Sequence, residues 1–415
     1  MDREIALEIL LKYKQQQSYL NLTINAYFKQ NDLTRQQKDL ITKIVYGTVQ
    51  NMLYLQYQLE PHLKTRVKNF EKMLLLMSLY QHYYLDSIPD YAIVNEAVAL
   101  AKKKKGIKTA QFVNAVLKNA FLFKRSVDCL EQLERLSILT SHPLWLVHML
   151  SKQYGYETTQ RICLSNNEIP RKSARVNTLK TSREKLLEDP LWEKGELSPD
   201  GLYYHGGNIA DTIEFHQGLV TIQDESSQMV ARLLHPLPHD KVLDMCCAPG
   251  SKTSHLAQLM NNTGEIHAYD LHEHKIALVE EQMKRLSIDI VKAKAYDSTL
   301  LTDIYEPETF DKILLDGPCS GLGVLSRKPE IKYHDSSLMD EMIKIQEKLL
   351  ENAYVLLKNG GNIVYSTCTI NKKENEKQIQ AFIQRHPHMK IIEEKTILPY
   401  VYHSDGFYMC LLEKE

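Results

Sequence analysis

The sequence predicts a multidomain chain: an all-α domain over residues 1–140, a small α+β domain over 141–238 and a doubly wound, Rossmann-like α/β domain over 239–415. Three observations carry this reading. Apolar residues recur at three- and four-residue spacing from Arg3 to about Arg125, the period of helices that bury one face. Between Ser141 and Pro238 the periodicity is mixed and broken by glycine and proline. From Asp240 onward short apolar runs alternate with helical patterns, as in a parallel sheet covered by helices.

In the first domain Ile5, Leu7, Ile9, Leu10 and Tyr13 follow one helix face, and Leu40, Ile41, Ile44, Val45 and Val49 a second. Phe70, Met73, Leu74, Met77 and Tyr80 mark a third helix, and residues 92–100 and 112–117 the last two. Pro61 and Pro89 sit where one helix should end and the next begin, with Asp90 as an N-cap. The run Lys102-Lys103-Lys104-Lys105 is expected in the connection between the last two helices, with a solvated helix end as the alternative. Acidic and basic residues nearly cancel overall, 52 against 51, but the first third is rich in lysine and arginine, which favours a polyanionic partner.

In the middle domain Ser141-His142-Pro143 precedes a short helix with Trp145, Leu146 and Met149. Residues 174–179 read as a strand whose Arg175 could meet a phosphate or equally be a salt-bridged surface arginine, and Gly195, Pro199, Gly201, Gly206 and Gly207 mark turns. In the third domain strands are expected at 242–246, 266–271, 290–296, 310–315 and 361–366, with helices at 251–260, 273–286 and 373–385. Two late runs, 389–393 and 406–412, can close the sheet.

Seven cysteines, an odd number, occur without any C-x-x-C pair or histidine cluster of zinc spacing, so neither a disulfide scaffold nor a structural metal site is expected. No signal-peptide layout and no membrane-length apolar run are visible. With apolar residues at 43% and charged residues at 25%, the expectation is a globular cytoplasmic protein.

Ligand chemistry concentrates at the carboxyl ends of the predicted strands, which face the crevice of such a sheet. The first strand runs into Cys246-Cys247-Ala248-Pro249-Gly250-Ser251-Lys252, a tight turn and helix start. It lacks both the dinucleotide glycine fingerprint and the nucleoside-triphosphate loop. Asp270 ends the second strand about twenty residues on, where an acid can bind ribose hydroxyls. Asp297 ends the third, within reach of an adenine amino group. This set suits S-adenosylmethionine. Two further strands end at thiols: Asp316-Gly317-Pro318-Cys319-Ser320-Gly321 and Ser366-Thr367-Cys368-Thr369. A thiol that adds to C6 of a cytosine makes C5 nucleophilic enough to accept a methyl group. One cysteine would attack and the other assist. Asp316 could bond the pyrimidine amino and N3 edge, with Lys252 lending charge or holding Asp316 in place.

These motifs resemble those of the Sun/Fmu family of RNA cytosine-5 methyltransferases. The resemblance rests on residues 244–253, on Asp316 to Gly323, on Tyr365 to Ile370 followed by Glu374-Asn375-Glu376, and on Asp405-Gly406-Phe407-Tyr408. The helical third, with Ile44 to Val49 and Phe112 to Leu117, is similar to the NusB-type RNA-binding domain of one bacterial subgroup. The resemblance implies that Cys368 is the nucleophile and that Cys319 assists release of the methylated product. It also implies that residues 246–252, Asp270, Asp297 and Asp316 line the S-adenosylmethionine and target pocket. Gly317 in place of the family's usual alanine, Ser251 in place of a usual glycine and Cys247 in place of a small residue depart from the family pattern, and all three are themselves small. The expected substrate is 16S ribosomal RNA, unstacked at the target base, with a monomeric enzyme, no metal and no membrane partner. A methyltransferase for transfer RNA or another ribosomal site, and a catalytically silent RNA-binding assembly factor, are the alternatives.

Overall fold

The computed structural model describes residues 2–16 and 19–415. The chain forms two compact units, one reaching to Asn167 and including Arg327–His334, the other made of Glu168–Ser326 and Asp335–Glu415.

The first unit is helical. Helices Asp2–Gln16, Arg35–Gln50, Asn69–Tyr84, Asp90–Lys105 and Ile107–Leu122 correspond to the five apolar stripes of the sequence. Their shared core includes the fully buried Leu10, Ile44, Leu74, Leu76, Val113 and Leu117. Arg35–Gln50 starts with a capping box: the Thr34 hydroxyl accepts from the Gln37 N–H while the Gln37 side chain accepts from the Thr34 N–H. Two local expectations are corrected. The lysine run is the last turn of Asp90–Lys105, not a connection, because lysine is a good helix former and cations suit a helix C-terminus. Lys103 and Lys104 pair there with Glu4 and Glu8 at 2.8–3.0 Å. Asp90 lies inside the first turn with Pro89 at the cap position, and its carboxylate meets His82 Nδ1 at 2.7 Å.

Arg327–His334 enters this unit as a short 3₁₀ segment, Pro329–Tyr333. Lys332 is fully buried and donates to the Gln50 carbonyl at 2.9 Å. The Tyr333 hydroxyl donates to the Val49 carbonyl at 3.0 Å, and Glu330 accepts from the Leu20 N–H. Burial pulls the Lys332 ammonium down to about 7.

The second unit contains two sheets. Strands β1 (Ser173–Val176), β2 (Trp192–Lys194), β3 (Gly201–Tyr204) and β4 (Val220–Ile222) form an antiparallel sheet in the order β2-β3-β1-β4. The larger sheet contains β5 (Lys241–Asp244), β6 (Glu265–Asp270), β7 (Val291–Ala295), β8 (Phe310–Asp316), β9 (Leu357–Thr367), β10 (Met389–Ile397) and β11 (Phe407–Lys414), in the order β10-β11-β9-β8-β5-β6-β7. Strands β5 to β9 pair in parallel, while β11 runs antiparallel to both β9 and β10. Strands covered on both faces are apolar almost throughout: Val242, Leu243, Ile313, Leu314, Leu315, Ile363 and Val364 are all fully buried. Between β8 and β9 runs the helix Ser337–Leu356, which the sequence reading omits. It buries Gln346, Leu349, Leu350, Ala353 and Leu356, a stripe at helical spacing. The strand order reverses at β5, between β8 and β6, which opens the crevice at the carboxyl ends where all the candidate residues lie. Among the described residues no helix is long and apolar enough to cross a membrane.

Candidate active site

Register alone brings three strand ends into one row. Asp244 of β5 sits opposite Leu314 of β8, and Asp316 at the end of β8 sits opposite Ser366 of β9. Beyond β5 the chain turns through residues 246–250 into the helix Ser251–Leu259. Gly250 occupies the cap position at φ +97, a conformation that favours glycine. Its backbone also packs closely on the next helix, since a Cβ there would meet Met283 Cε at 3.2 Å. The turn is braced by Asp244, which accepts from the Thr253 hydroxyl at 2.7 Å and from the Cys246 N–H. Burial raises the Asp244 carboxyl to about 7, against the Thr253 hydrogen bond. Cys246 and Cys247 flank this carboxyl, and burial, reinforced by the charge of Asp244, pushes both thiols up.

The acids of the next two strands stand at the same edge of the sheet, at or just past the carboxyl ends. Asp270 ends β6 and Asp297 follows β7. Each also supports its own turn: Asp270 accepts from the His272 N–H and pairs with Lys275 at 3.2 Å, while Asp297 caps the following 3₁₀ segment by accepting from the Thr299 N–H. Each retains lone pairs for a ligand, since a carboxylate offers about four acceptor positions. The strand ends, the glycine turn and the helix N-terminus therefore fit S-adenosylmethionine. Among the described residues no cluster of potential metal ligands occurs.

Lys252, in the first turn of Ser251–Leu259, donates to Asp316 Oδ2 at 2.7 Å. Its ammonium also lies over the Phe407 ring, 5.2 Å from the centroid. Burial alone would lower the Lys252 ammonium, but the charge of Asp316 and its hydrogen bond outweigh burial and hold it above its ordinary value, with Cys368 a further contributor. The other oxygen of Asp316 accepts from the Ser366 hydroxyl at 2.8 Å. This carboxylate is thus fixed by β9 on one side and by the helix Ser251–Leu259 on the other.

The two thiols converge. Cys319 Sγ and Cys368 Sγ are 3.3 Å apart, each half-buried at the end of its strand. The loops that carry them are stitched together: the Gly317 N–H donates to the Ser366 carbonyl, and the Gly323 N–H to the Cys368 carbonyl. Gly323 packs so closely on Gly406 that a Cβ would lie 1.8 Å from the Gly406 carbonyl oxygen. At Gly317, by contrast, a Cβ would find ordinary contacts of 3.6 Å, so the family's alanine would also fit.

Several polar residues of the site have no role in the sequence reading. Glu374 and Gln346 are both fully buried and meet between the thiol loops. The stretch just before Glu376–Arg385 is not helical as expected from Lys373, because Asn375 bonds back to Thr367 and Thr369 and turns Glu374 inward. Arg175 is a correction of another kind. It is fully buried, with no face toward a phosphate, and its guanidinium donates to Gln258, Gln223, Ser254 and the Ser251 carbonyl. From β1 it supports the start of the helix Ser251–Leu259. An arginine in a short strand gives no sign in sequence of which of these it does.

Comparison with known proteins shows the family to which the chain belongs. Residues 231–413 match a family model described as 16S rRNA methyltransferase RsmB/F, residues 1–121 a NusB family model, and residues 142–200 a ferredoxin-like domain of the RsmF/B-like methyltransferases. A protein of Bacillus subtilis (strain 168) named "Probable ribosomal RNA small subunit methyltransferase B" is 40% identical, covering 100% of this chain and 98% of that one. "Ribosomal RNA small subunit methyltransferase B" of Proteus mirabilis (strain HI4320) is 31% identical over 93% of this chain and 92% of its own. Among solved structures, PH0851 aligns over 100% of this chain and 99% of its own, with a TM-score of 0.85 at 26% identity. A methyltransferase homologue from Pyrococcus horikoshii aligns over 68% of this chain and 99% of its own, with a TM-score of 0.62 at 27% identity.

Proposed function

Because this chain belongs to the RsmB/F family of 16S ribosomal RNA methyltransferases, with a NusB domain at its N-terminus, we propose that it methylates C5 of a specific cytidine in 16S ribosomal RNA. The observation that carries the reading is the pair of thiols 3.3 Å apart, beside a lysine-held carboxylate, at the mouth of a nucleoside-type cradle.

The roles follow from the chemistry. S-adenosylmethionine, when bound, supplies an electrophilic methyl group, and residues 246–252, Asp270 and Asp297 would hold it. Cys368 adds as thiolate to C6 of the cytosine, and the ring becomes an enamine with its nucleophilic carbon at C5. Asp316 takes the amino and N3 edge, which orients the ring over the Cys368 sulfur. The Lys252 ammonium offsets the negative charge gathered at Asp316 and Cys368. After methylation C5 gives up its proton, its electron pair expels the Cys368 sulfur from C6, and Cys319 assists by relaying the proton to that sulfur. The base must leave its stack for its C6 face to be reached, so the substrate is a single-stranded or opened segment. The basic helices of the first unit would bind its phosphates. We assign the reaction to a single chain in the cytoplasm.

Bisulfite sequencing of ribosomal and transfer RNA from a deletion strain tests the reading. Loss of one 5-methylcytosine in 16S RNA is expected, restored by the wild-type chain and not by Cys368→Ala. Loss in a transfer RNA, or no loss, would overturn it. In vitro, Cys319→Ala should leave a covalent enzyme–RNA band on a denaturing gel. If Cys368→Ala gives that band instead, the two thiols exchange roles.

A further inference from the structure

Two sulfurs in contact ought to compete for the same chemistry, yet their surroundings differ. Cys368 lies on the side of a cation: the Lys252 ammonium interacts with it as well as with Asp316. Cys319 lies on the side of a buried carboxylate. Glu374 accepts from the Ser320 N–H at 2.8 Å and from the Ser320 hydroxyl at 2.5 Å, and Ser320 directly follows Cys319. On its other flank, Gln346 Nε2 donates to the Pro318 carbonyl at 2.8 Å and to Glu374 at 3.3 Å. Asn371 Nδ2, in the loop after Cys368, donates to Glu374 at 3.0 Å. The peptide groups on both sides of Cys319 are thus tied, through one carboxylate and one amide, to the loop that carries Cys368.

We propose that Glu374 is a positioning residue that divides the labour between the two thiols: it fixes the Cys319 loop against the Cys368 loop, and its negative charge beside Cys319 leaves the thiolate to Cys368. The proposal rests on the methyltransferase reading and deepens it. Four donors converge on Glu374, the surroundings of an ionised carboxyl. The Cys319 thiol is pushed well up, first by its hydrogen bond to Cys368, then by burial and by the charges of Cys368 and Glu374. Cys319 therefore keeps its proton while Cys368 attacks. In the release step that proton passes to the departing Cys368 sulfur, the C6–S bond breaks, and the vacated Cys319 sulfur takes the proton from C5. Both thiols end neutral and the methylated base leaves.

The charged and titratable groups around the pair are Lys252 on the cofactor helix, Asp316 on β8, Tyr365 on β9 and Glu374 after it, so removing one charge should have a readable effect. The test is the pH dependence of iodoacetamide alkylation at Cys319 and Cys368, read separately by peptide mass spectrometry on the full chain without RNA or cofactor. In the wild type Cys368 should react at lower pH than Cys319. In Glu374→Gln the Cys319 midpoint should fall by at least one unit, so that it reacts about tenfold faster at neutral pH, while the Cys368 midpoint changes less. A folded Glu374→Gln protein with an unchanged Cys319 midpoint would overturn the proposal. Should that variant not fold, Gln346→Met carries the test. It keeps the carboxylate but frees the Pro318 carbonyl, so the Cys319 midpoint should stay and the covalent RNA adduct should accumulate. Adduct turnover at the wild-type rate would count against the proposal. Because alkylation needs no methyl transfer, its outcome is separate from the outcome of the bisulfite experiment.

Discussion

Lys252 holds Asp316 at 2.7 Å, and the carboxylate's other oxygen is held by Ser366. At this scale the sequence was most informative, because residue types with narrow chemistry stood at strand ends. Cysteine, aspartate and lysine carry their reactivity in their names. Glu374 and Gln346 do not: a glutamate near a helix start reads as a first-turn acid, and a glutamine on a helix reads as surface. Their importance arises from burial, which pattern alone does not reveal for a polar residue. Replacing Lys252 with Met should lower methyl transfer about 10- to 100-fold, the size of a lost charge-assisted hydrogen bond of about 1.5–3 kcal/mol. The larger effect should fall on kcat; because Lys252 also belongs to the loop assigned to S-adenosylmethionine, cofactor binding by calorimetry should weaken as well, but by less. An equal loss in both would mean that Lys252 serves the cofactor and not the target.

Elements were legible where their burial is periodic or continuous. Strands β5, β6, β8 and β9 appear where apolar runs stand, and five helices of the first unit follow their stripes. Ser337–Leu356 escaped because its buried stripe includes a glutamine and is preceded by a stretch with no obvious period. The Pro329–Tyr333 segment was beyond pattern reading altogether, since its burial comes from distant residues. It makes a prediction about pH. The Lys332 ammonium sits at about 7 when folded, against an ordinary lysine value of 10.5. The folded state therefore binds fewer protons than the unfolded state between those values, so this residue's contribution to stability rises with pH across the window and is lost as pH falls toward 7. Lys332→Met removes that dependence. Urea unfolding of both proteins should show the variant's relative advantage shrinking by about 1.4 kcal/mol per unit as pH rises from 7 to 10. A constant difference across that range would mean that Lys332 is not held uncharged.

The whole molecule joins a basic helical unit to a catalytic unit of opposite bias in a chain of net charge −1. The fold class was readable from the change of periodicity along the chain, and the NusB and methyltransferase family matches agree with it. The course of Arg327–His334 into the helical unit was not, because it depends on contacts far apart in sequence. If the first unit binds RNA through its phosphates, affinity should fall steeply with salt. Contact with about six phosphates of a single strand would weaken binding by about two to three orders of magnitude between 50 and 200 mM. A titration of 16S RNA fragments by filter binding would show it, and a flat response would assign recognition to base contacts.

The most direct measurement uses RNA carrying 5-fluorocytidine at the target, where fluorine blocks loss of the C5 substituent and traps the intermediate. With S-adenosylmethionine present, digestion and mass spectrometry should recover the nucleotide attached to the peptide containing Cys368. Recovery on the Cys319 peptide, or no covalent product from an enzyme that methylates ordinary RNA, would contradict the account.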